Sequence, residues 1–224
     1  MVHSACNLFS RGRPFGAPAF LAALACLLYF VPGAGRALEY DRVAIAGGQL
    51  WRILTAHWTH SSPDHLAWDV LVFAVLGAAL SARNPRLFRW IVVVSPLGIS
   101  GTLLFLGPQW HIYRGLSGVD SALFVALSTV LWKECSGTKR WFAAATLLLF
   151  GGKIVLEATM GVALFATDTA GYDVVALAHL SGGGAGLLCF LLCRQDQARR
   201  RPVLPVSLPH LYPLVMAFLN RAAR

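Results

Sequence analysis

Apolar runs about as long as a bilayer is thick recur six times along the chain, near residues 15–32, 66–82, 90–107, 117–132, 141–160 and 174–193. An α-helix needs roughly 20 apolar residues to cross a hydrocarbon core. In lipid each segment must satisfy its own backbone amides, so repeated runs of this length predict a helix bundle. The expected fold is all-α, a polytopic membrane bundle of six transmembrane helices forming one domain over residues 15–193. Residues 1–14 are expected as a cytoplasmic N-terminal segment, and 194–224 as a basic cytoplasmic tail with an interfacial stretch. Composition agrees, because 57% hydrophobic and 13% charged residues are far from the balance of a soluble chain of 224 residues.

A net charge of +9 raises the question of nucleic acid, and the placement of the basic residues answers it. They sit between the apolar runs. Arg11 and Arg13 precede the first run, Arg83, Arg86 and Arg89 separate the second from the third, and Lys133, Lys139 and Arg140 separate the fourth from the fifth. Arg194, Arg199, Arg200 and Arg201 follow the sixth. The other loops carry only Arg36, Arg42, Arg52 and Arg114, together with Glu39, Asp41, Asp64, Asp168 and Asp173. Alternation of this kind is the positive-inside pattern of six spans with both termini cytoplasmic. The implied partner is therefore the lipid bilayer, and no nucleic acid is expected.

Residues 11–37 have a charged start, an apolar stretch and a small-residue exit, as a signal peptide would. A retained helix is preferred because the rest of the chain is polytopic. Val203–Leu219 is apolar too, but Pro205, Pro209 and Pro213 interrupt it, which favours an interfacial segment over a seventh span. The five cysteines fall within spans or on the cytoplasmic side, so no outward-facing disulfide framework is expected.

Polar residues inside apolar runs are costly and are functional candidates by default. The second run opens with His57, His60, His65 and Asp69, the fourth with Ser117 and Asp120, and the sixth with His179 and Ser181. All three runs begin at the outer face in the topology above, which puts Ser117 and His179 at similar depth. His65 and Asp69, four residues apart, share one side of their helix. A serine needs a neighbouring base to take its proton, and an imidazole can fill that role. Gly115 and Gly118 flank this serine closely, and Gly182 and Gly186 form a small-xxx-small pattern that permits close helix contact.

Several motifs together resemble the rhomboid intramembrane serine proteases, from about Trp51 to Cys193. Trp51-Arg52 looks like the family's WR motif, and His60, His65 and Asp69 follow its H-x4-H-x3-N spacing. Gly115-Leu116-Ser117-Gly118 matches GxSG, and Ala178-His179 with Gly182 and Gly186 matches AHxxGxxxG. The resemblance implies a rhomboid-like fold and a Ser117–His179 dyad that cleaves membrane-anchored protein substrates near the outer surface. It also implies that the Ser117 N–H and His65 hold the oxyanion, that His60 steadies the outer loop, and that the protein resides in a bacterial inner membrane with its site open to the periplasm. No cofactor or metal is implied.

The sequence departs from the family pattern at two positions. Asp69 stands where the family carries an asparagine, and an ionised aspartate accepts hydrogen bonds where an asparagine donates them. Ser121 stands where many members have a tyrosine stacked on the histidine. Short length, the lack of large cytosolic domains, and Lys153 and Glu157 in the fifth run look most like the rhombosortase subgroup, which implies substrates with a C-terminal Gly-Gly motif, a transmembrane helix and a basic tail. Lys153 and Glu157 are also four residues apart, where the two charges can simply neutralise each other.

The remaining residues have plainer expectations. His57 is expected at the interface, and Asp120 as a buried pair or water-bound group. His57, His60, His65 and Asp69 as zinc ligands would make a membrane hydrolase of another kind. A catalytically inactive rhomboid-like protein that binds membrane helices is the other alternative. Gly151-Gly152-Lys153-Ile154 lacks the serine or threonine of a phosphate loop.

Overall fold

Helix follows helix through residues 15–161 and 175–199, which are the residues the computed structural model describes. In chain order these are α1 (Gly16–Phe30), α2 (Ala34–Leu38), α3 (Arg42–Ala46), α4 (Arg52–Thr55), α5 (Pro63–Arg83), α6 (Pro85–Leu106), α7 (Ser117–Glu134), α8 (Thr138–Met160) and α9 (Ala176–Arg199). A single 3-10 turn at Ala56–Trp58 follows α4. Two compact units divide the chain, Met1–Cys193 and Arg194–Arg224, and the residues described below belong to the first. The expected N-terminal segment, the Val203–Leu219 stretch, Asp168 and Asp173 lie outside the described residues.

Each of the six apolar runs is a helix. Pro63–Arg83, Pro85–Leu106, Thr138–Met160 and Ala176–Cys193 are long and apolar enough to cross a membrane, while α1 is apolar but has 15 residues. The protein is a helical bundle with the apolar spans of a multi-pass membrane protein. Helices α5 and α6 start before their apolar runs do, because each opens with a polar cap and a proline. Ser62 Oγ accepts from the His65 N–H ahead of Pro63, and Asn84 accepts from the Leu87 N–H ahead of Pro85.

The central helix is α7, which packs against α5, α6 and α8. That position explains its more polar sequence: a helix surrounded by protein need not be apolar towards lipid, and Asp120, Ser121 and Ser128 are all buried. Against α9 the approach is closer still. A Cβ on Gly182 would lie 2.0 Å from the Gly118 carbonyl oxygen, and one on Gly186 would lie 2.2 Å from that of Ala122. Only glycine allows the backbones to meet at this distance. The small-residue pattern is thus the contact between the serine helix and the histidine helix.

The segment before α5 has more structure than an ordinary loop. Tyr40–Asp41 pairs antiparallel with Ile112–Tyr113, tying it to the α6–α7 connection. Arg52 donates to Gln49 Oε1 at 2.8 Å and to the carbonyls of Arg36 and Glu39, both at 2.8 Å. Arg42 caps the other side by donating to the carbonyls of Leu103, Leu104 and Gly107 at the end of α6. These two arginines supply the polar scaffold of the segment.

Candidate active site

Ser117 is the first residue of α7 and His179 lies in the first turn of α9. Gly115 has φ +120°, and a Cβ there would come within 2.7 Å of the His65 ring. Glycine therefore meets both a backbone and a space requirement two residues before the serine. The Gly182 contact brings α9 against Gly118, and the outcome is a hydrogen bond of 2.9 Å between Ser117 Oγ and His179 Nε2. His179 is buried and Ser117 is partly exposed.

The other ring nitrogen of His179 meets a carboxylate. His179 Nδ1 is 2.6 Å from Glu157 Oε2, and Lys153 Nζ donates to Glu157 Oε1 at 2.6 Å. With a carboxylate as acceptor, Nδ1 carries the ring proton and Nε2 keeps its lone pair for the serine hydroxyl. Lys153 Nζ also lies 3.2 Å from Nδ1, close enough to offset the charge of Glu157 in an otherwise apolar helix. The i,i+4 pairing of Lys153 with Glu157 holds as expected from the sequence. What that spacing did not reveal is that the second carboxylate oxygen is turned towards the histidine.

Asp69 faces the serine from the opposite side. Its Oδ2 accepts from the Leu116 N–H at 2.8 Å and the Ser117 N–H at 3.1 Å, and lies 3.2 Å from Nε2 of both His60 and His65. Ser61 Oγ contacts His65 Nδ1 at 3.3 Å. Leu116 offers no side chain to cap α7, so Asp69 caps it from α5 and places negative charge at the helix N-terminus. The Ser117 N–H and His65 are the two donors expected for an oxyanion. Both donors are directed at Asp69, because a carboxylate accepts where an asparagine would donate.

The remaining candidates separate. His57 is fully buried, and its Nε2 contacts Ser100 Oγ at 3.1 Å. Burial pushes its imidazole down to about 4. His60, in the segment before α5, meets Asp69 Oδ2 through its Nε2 at 3.2 Å. Asp120 Oδ1 is buried without a hydrogen-bond partner, and Ser121 Oγ donates to the Ser117 carbonyl at 2.8 Å. Among the described residues no group of three or more His, Cys, Asp or Glu could hold a metal ion, and the turn of His57 towards Ser100 takes one ligand out of the zinc alternative. Sequence reasoning also passed over Tyr113, whose hydroxyl donates to the Gly115 carbonyl at 3.1 Å and holds the loop before the serine.

The Rhomboid domain profile matches residues 47–196, about two thirds of the chain. This chain belongs to the rhomboid family. Rhomboids are generally intramembrane serine proteases acting on membrane proteins within the bilayer. The chain is also similar to "Putative rhomboid protease YdcA" of Bacillus subtilis (strain 168), with 27% identity over 189 residues, covering 80% of this chain and 88% of that protein. The matched rhomboid segment runs from the Gly47–Gly48 turn before Trp51-Arg52 through α9, and so contains Asp69, Ser117, Glu157 and His179.

Proposed function

We propose that this rhomboid is a serine endopeptidase in which Ser117 attacks the scissile carbonyl and His179 takes the serine proton, later returning it to the leaving amine. The observation that carries this is the 2.9 Å contact between Ser117 Oγ and His179 Nε2. Two distant helices, each at its first turn, deliver a nucleophile and a base within hydrogen-bond reach. The substrate class is membrane-anchored protein, cut near the outer face of a bacterial inner membrane. Lys153 and Glu157 support the narrower rhombosortase-like reading, with substrates that carry a C-terminal Gly-Gly motif, a transmembrane helix and a basic tail.

Co-expression tests both levels. A reporter ending in such a tail should be shortened by the wild-type protein and left intact by Ser117→Ala. Cleavage of a membrane-anchored reporter without Gly-Gly at equal rate would remove the subgroup reading and keep the peptidase. Equal cleavage by Ser117→Ala would remove the peptidase mechanism.

One observation favours a second reading, a helix-binding protein without catalysis. Asp69 Oδ2 sits on the Ser117 N–H that a tetrahedral intermediate would need. Under this reading the reporter co-purifies with the protein and is never cut.

A further inference from the structure

Among the described residues, the buried groups that a serine–histidine pair leaves unused include Asp120, His57 and Glu157, the last paired with the half-buried Lys153. Asp120 has an unpartnered oxygen and His57 an unpartnered Nδ1 beside its Nε2 contact with Ser100, but neither has a second group aimed at it. Lys153 and Glu157 are different, because their contacts end on the proposed base.

We infer that Glu157 is a positioning residue for the reaction, the third member of a Ser117–His179–Glu157 triad, with Lys153 holding its charge in place. This rests on the peptidase reading and extends it from two residues to four. Geometry carries the argument. Oε2 is 2.6 Å from His179 Nδ1, Oε1 is 2.6 Å from Lys153 Nζ, and the Glu157 side chain is 2% exposed. A carboxylate held at Nδ1 does two things for a base. It selects the tautomer whose Nε2 can accept the Ser117 proton, and it stabilises the imidazolium that forms when the proton moves. The proton goes from Ser117 Oγ to His179 Nε2 and then to the leaving nitrogen, while Glu157 keeps its charge throughout.

The lysine has its own part. A single carboxylate buried in an apolar helix is costly, and Lys153 one turn earlier offsets that cost without contacting the serine. Lys153 lies near the Nδ1 side of the ring and not the Nε2 side, so it leaves the lone pair free for Ser117. Glu157 is presented by α8, whereas His179 is on α9 and Ser117 on α7. The orientation of the base thus depends on three helices at once.

The test compares full-length Glu157→Gln, Glu157→Ala and Lys153→Met with wild type in detergent micelles, reading reporter cleavage, labelling of Ser117 by a fluorophosphonate and thermal stability. Glu157→Ala should lower kcat by up to about 10⁴, the order of loss found when a triad carboxylate is removed, with KM nearly unchanged. Glu157→Gln keeps the shape and an acceptor and should fall less, and Lys153→Met should fall least. A double variant separates positioning from a structural role. If Glu157 acts through His179, adding Glu157→Ala to His179→Ala should lower residual labelling no further. The inference is overturned if Glu157→Gln and Glu157→Ala cleave like wild type, or if the double variant shows additive losses. If a variant fails to fold, the Gln variant and the labelling rate of its folded fraction decide. Loss of activity in Ser117→Ala and His179→Ala together with full activity in the Glu157 variants would refute the triad alone. Full activity in Ser117→Ala would refute the underlying peptidase reading.

Discussion

Among the described residues two buried carboxylates sit beside histidines, and they work in opposite directions. Glu157 on α8 touches only the far nitrogen of His179, with Lys153 one turn before it to balance the charge. Its effect on Ser117 passes through the ring, leaving the nucleophile free. Asp69 on α5 touches the serine helix itself, accepting from the Leu116 and Ser117 N–H groups while His60 and His65 approach the same oxygen. One carboxylate prepares the base. The other caps the nucleophile's helix with the donors that an oxyanion would use. The contrast teaches that a buried acid near a catalytic pair has no fixed meaning, and that the atom it touches decides its role.

The largest effect should come from the pair both carboxylates flank. Ser117→Ala or His179→Ala should each reduce reporter cleavage by about 10³ or more, with thermal stability close to wild type. Comparable activity in either variant would dissolve the comparison, since there would be no reacting pair for the acids to serve.

Next in size is the helix contact that sets the pair's distance. Gly182→Ala places a Cβ 2.0 Å from the Gly118 carbonyl oxygen, which has to move. Overpacking of this kind costs about 1–3 kcal/mol, and a shift of the rings by an ångström should lower cleavage about 10²-fold. A thermal melt and a cleavage assay on the same preparation would check both parts. Normal behaviour in both would mean that α7 and α9 do not meet at Gly182.

Asp69 gives a smaller effect with a telling sign. Asp69→Asn keeps the shape, restores a donor and removes negative charge beside the developing oxyanion, so cleavage should hold or rise by up to about tenfold. Asp69→Ala leaves the Leu116 and Ser117 N–H groups without their acceptor and should destabilise by about 1–3 kcal/mol. A sharp fall in Asp69→Asn cleavage, with stability unchanged, would show that the carboxylate takes a direct part in catalysis, and the contrast with Glu157 would collapse.

The smallest effect belongs to His57, a buried histidine with a hydroxyl for a partner and no role in the pair. Its imidazole is pushed down to about 4 from the ordinary 6.5, so the folded protein keeps it neutral where the unfolded chain would already bind a proton. Its contribution to stability is complete above pH 6.5 and is lost as the pH falls towards 4. Melting temperatures from pH 7 to 4 should fall less steeply in His57→Gln than in wild type. Equal slopes would mean that His57 is not held neutral by burial.

Much of this was legible in the sequence, for reasons that differ between parts. The helices were legible because lipid forces backbone satisfaction within each segment, and the apolar runs therefore mark them. Ser117 and His179 were legible because each opens a run and is costly there. Gly182 and Gly186 announced a close contact, though not that its partners are Gly118 and Ala122. The short helices α2, α3 and α4 were not legible, since they are held by Arg52 and Arg42 reaching distant carbonyls and not by local periodicity. The same limit hid Glu157. A spacing of four named Lys153 as its neighbour, but only the packing of α8 near α9 turns the second oxygen to His179. Asp69 was recognised as a departure, and its consequence became plain when the α7 N-terminus lacked a cap of its own.

The most direct test of the central claim is covalent labelling in native membranes with a fluorophosphonate, which reacts with a serine only when a base activates it. Wild-type protein should be labelled at Ser117, Asp69→Asn should label at least as fast, and His179→Ala should fall to a small residual rate. Labelling that persists in His179→Ala at the wild-type rate, or that maps to a residue other than Ser117, would contradict the account.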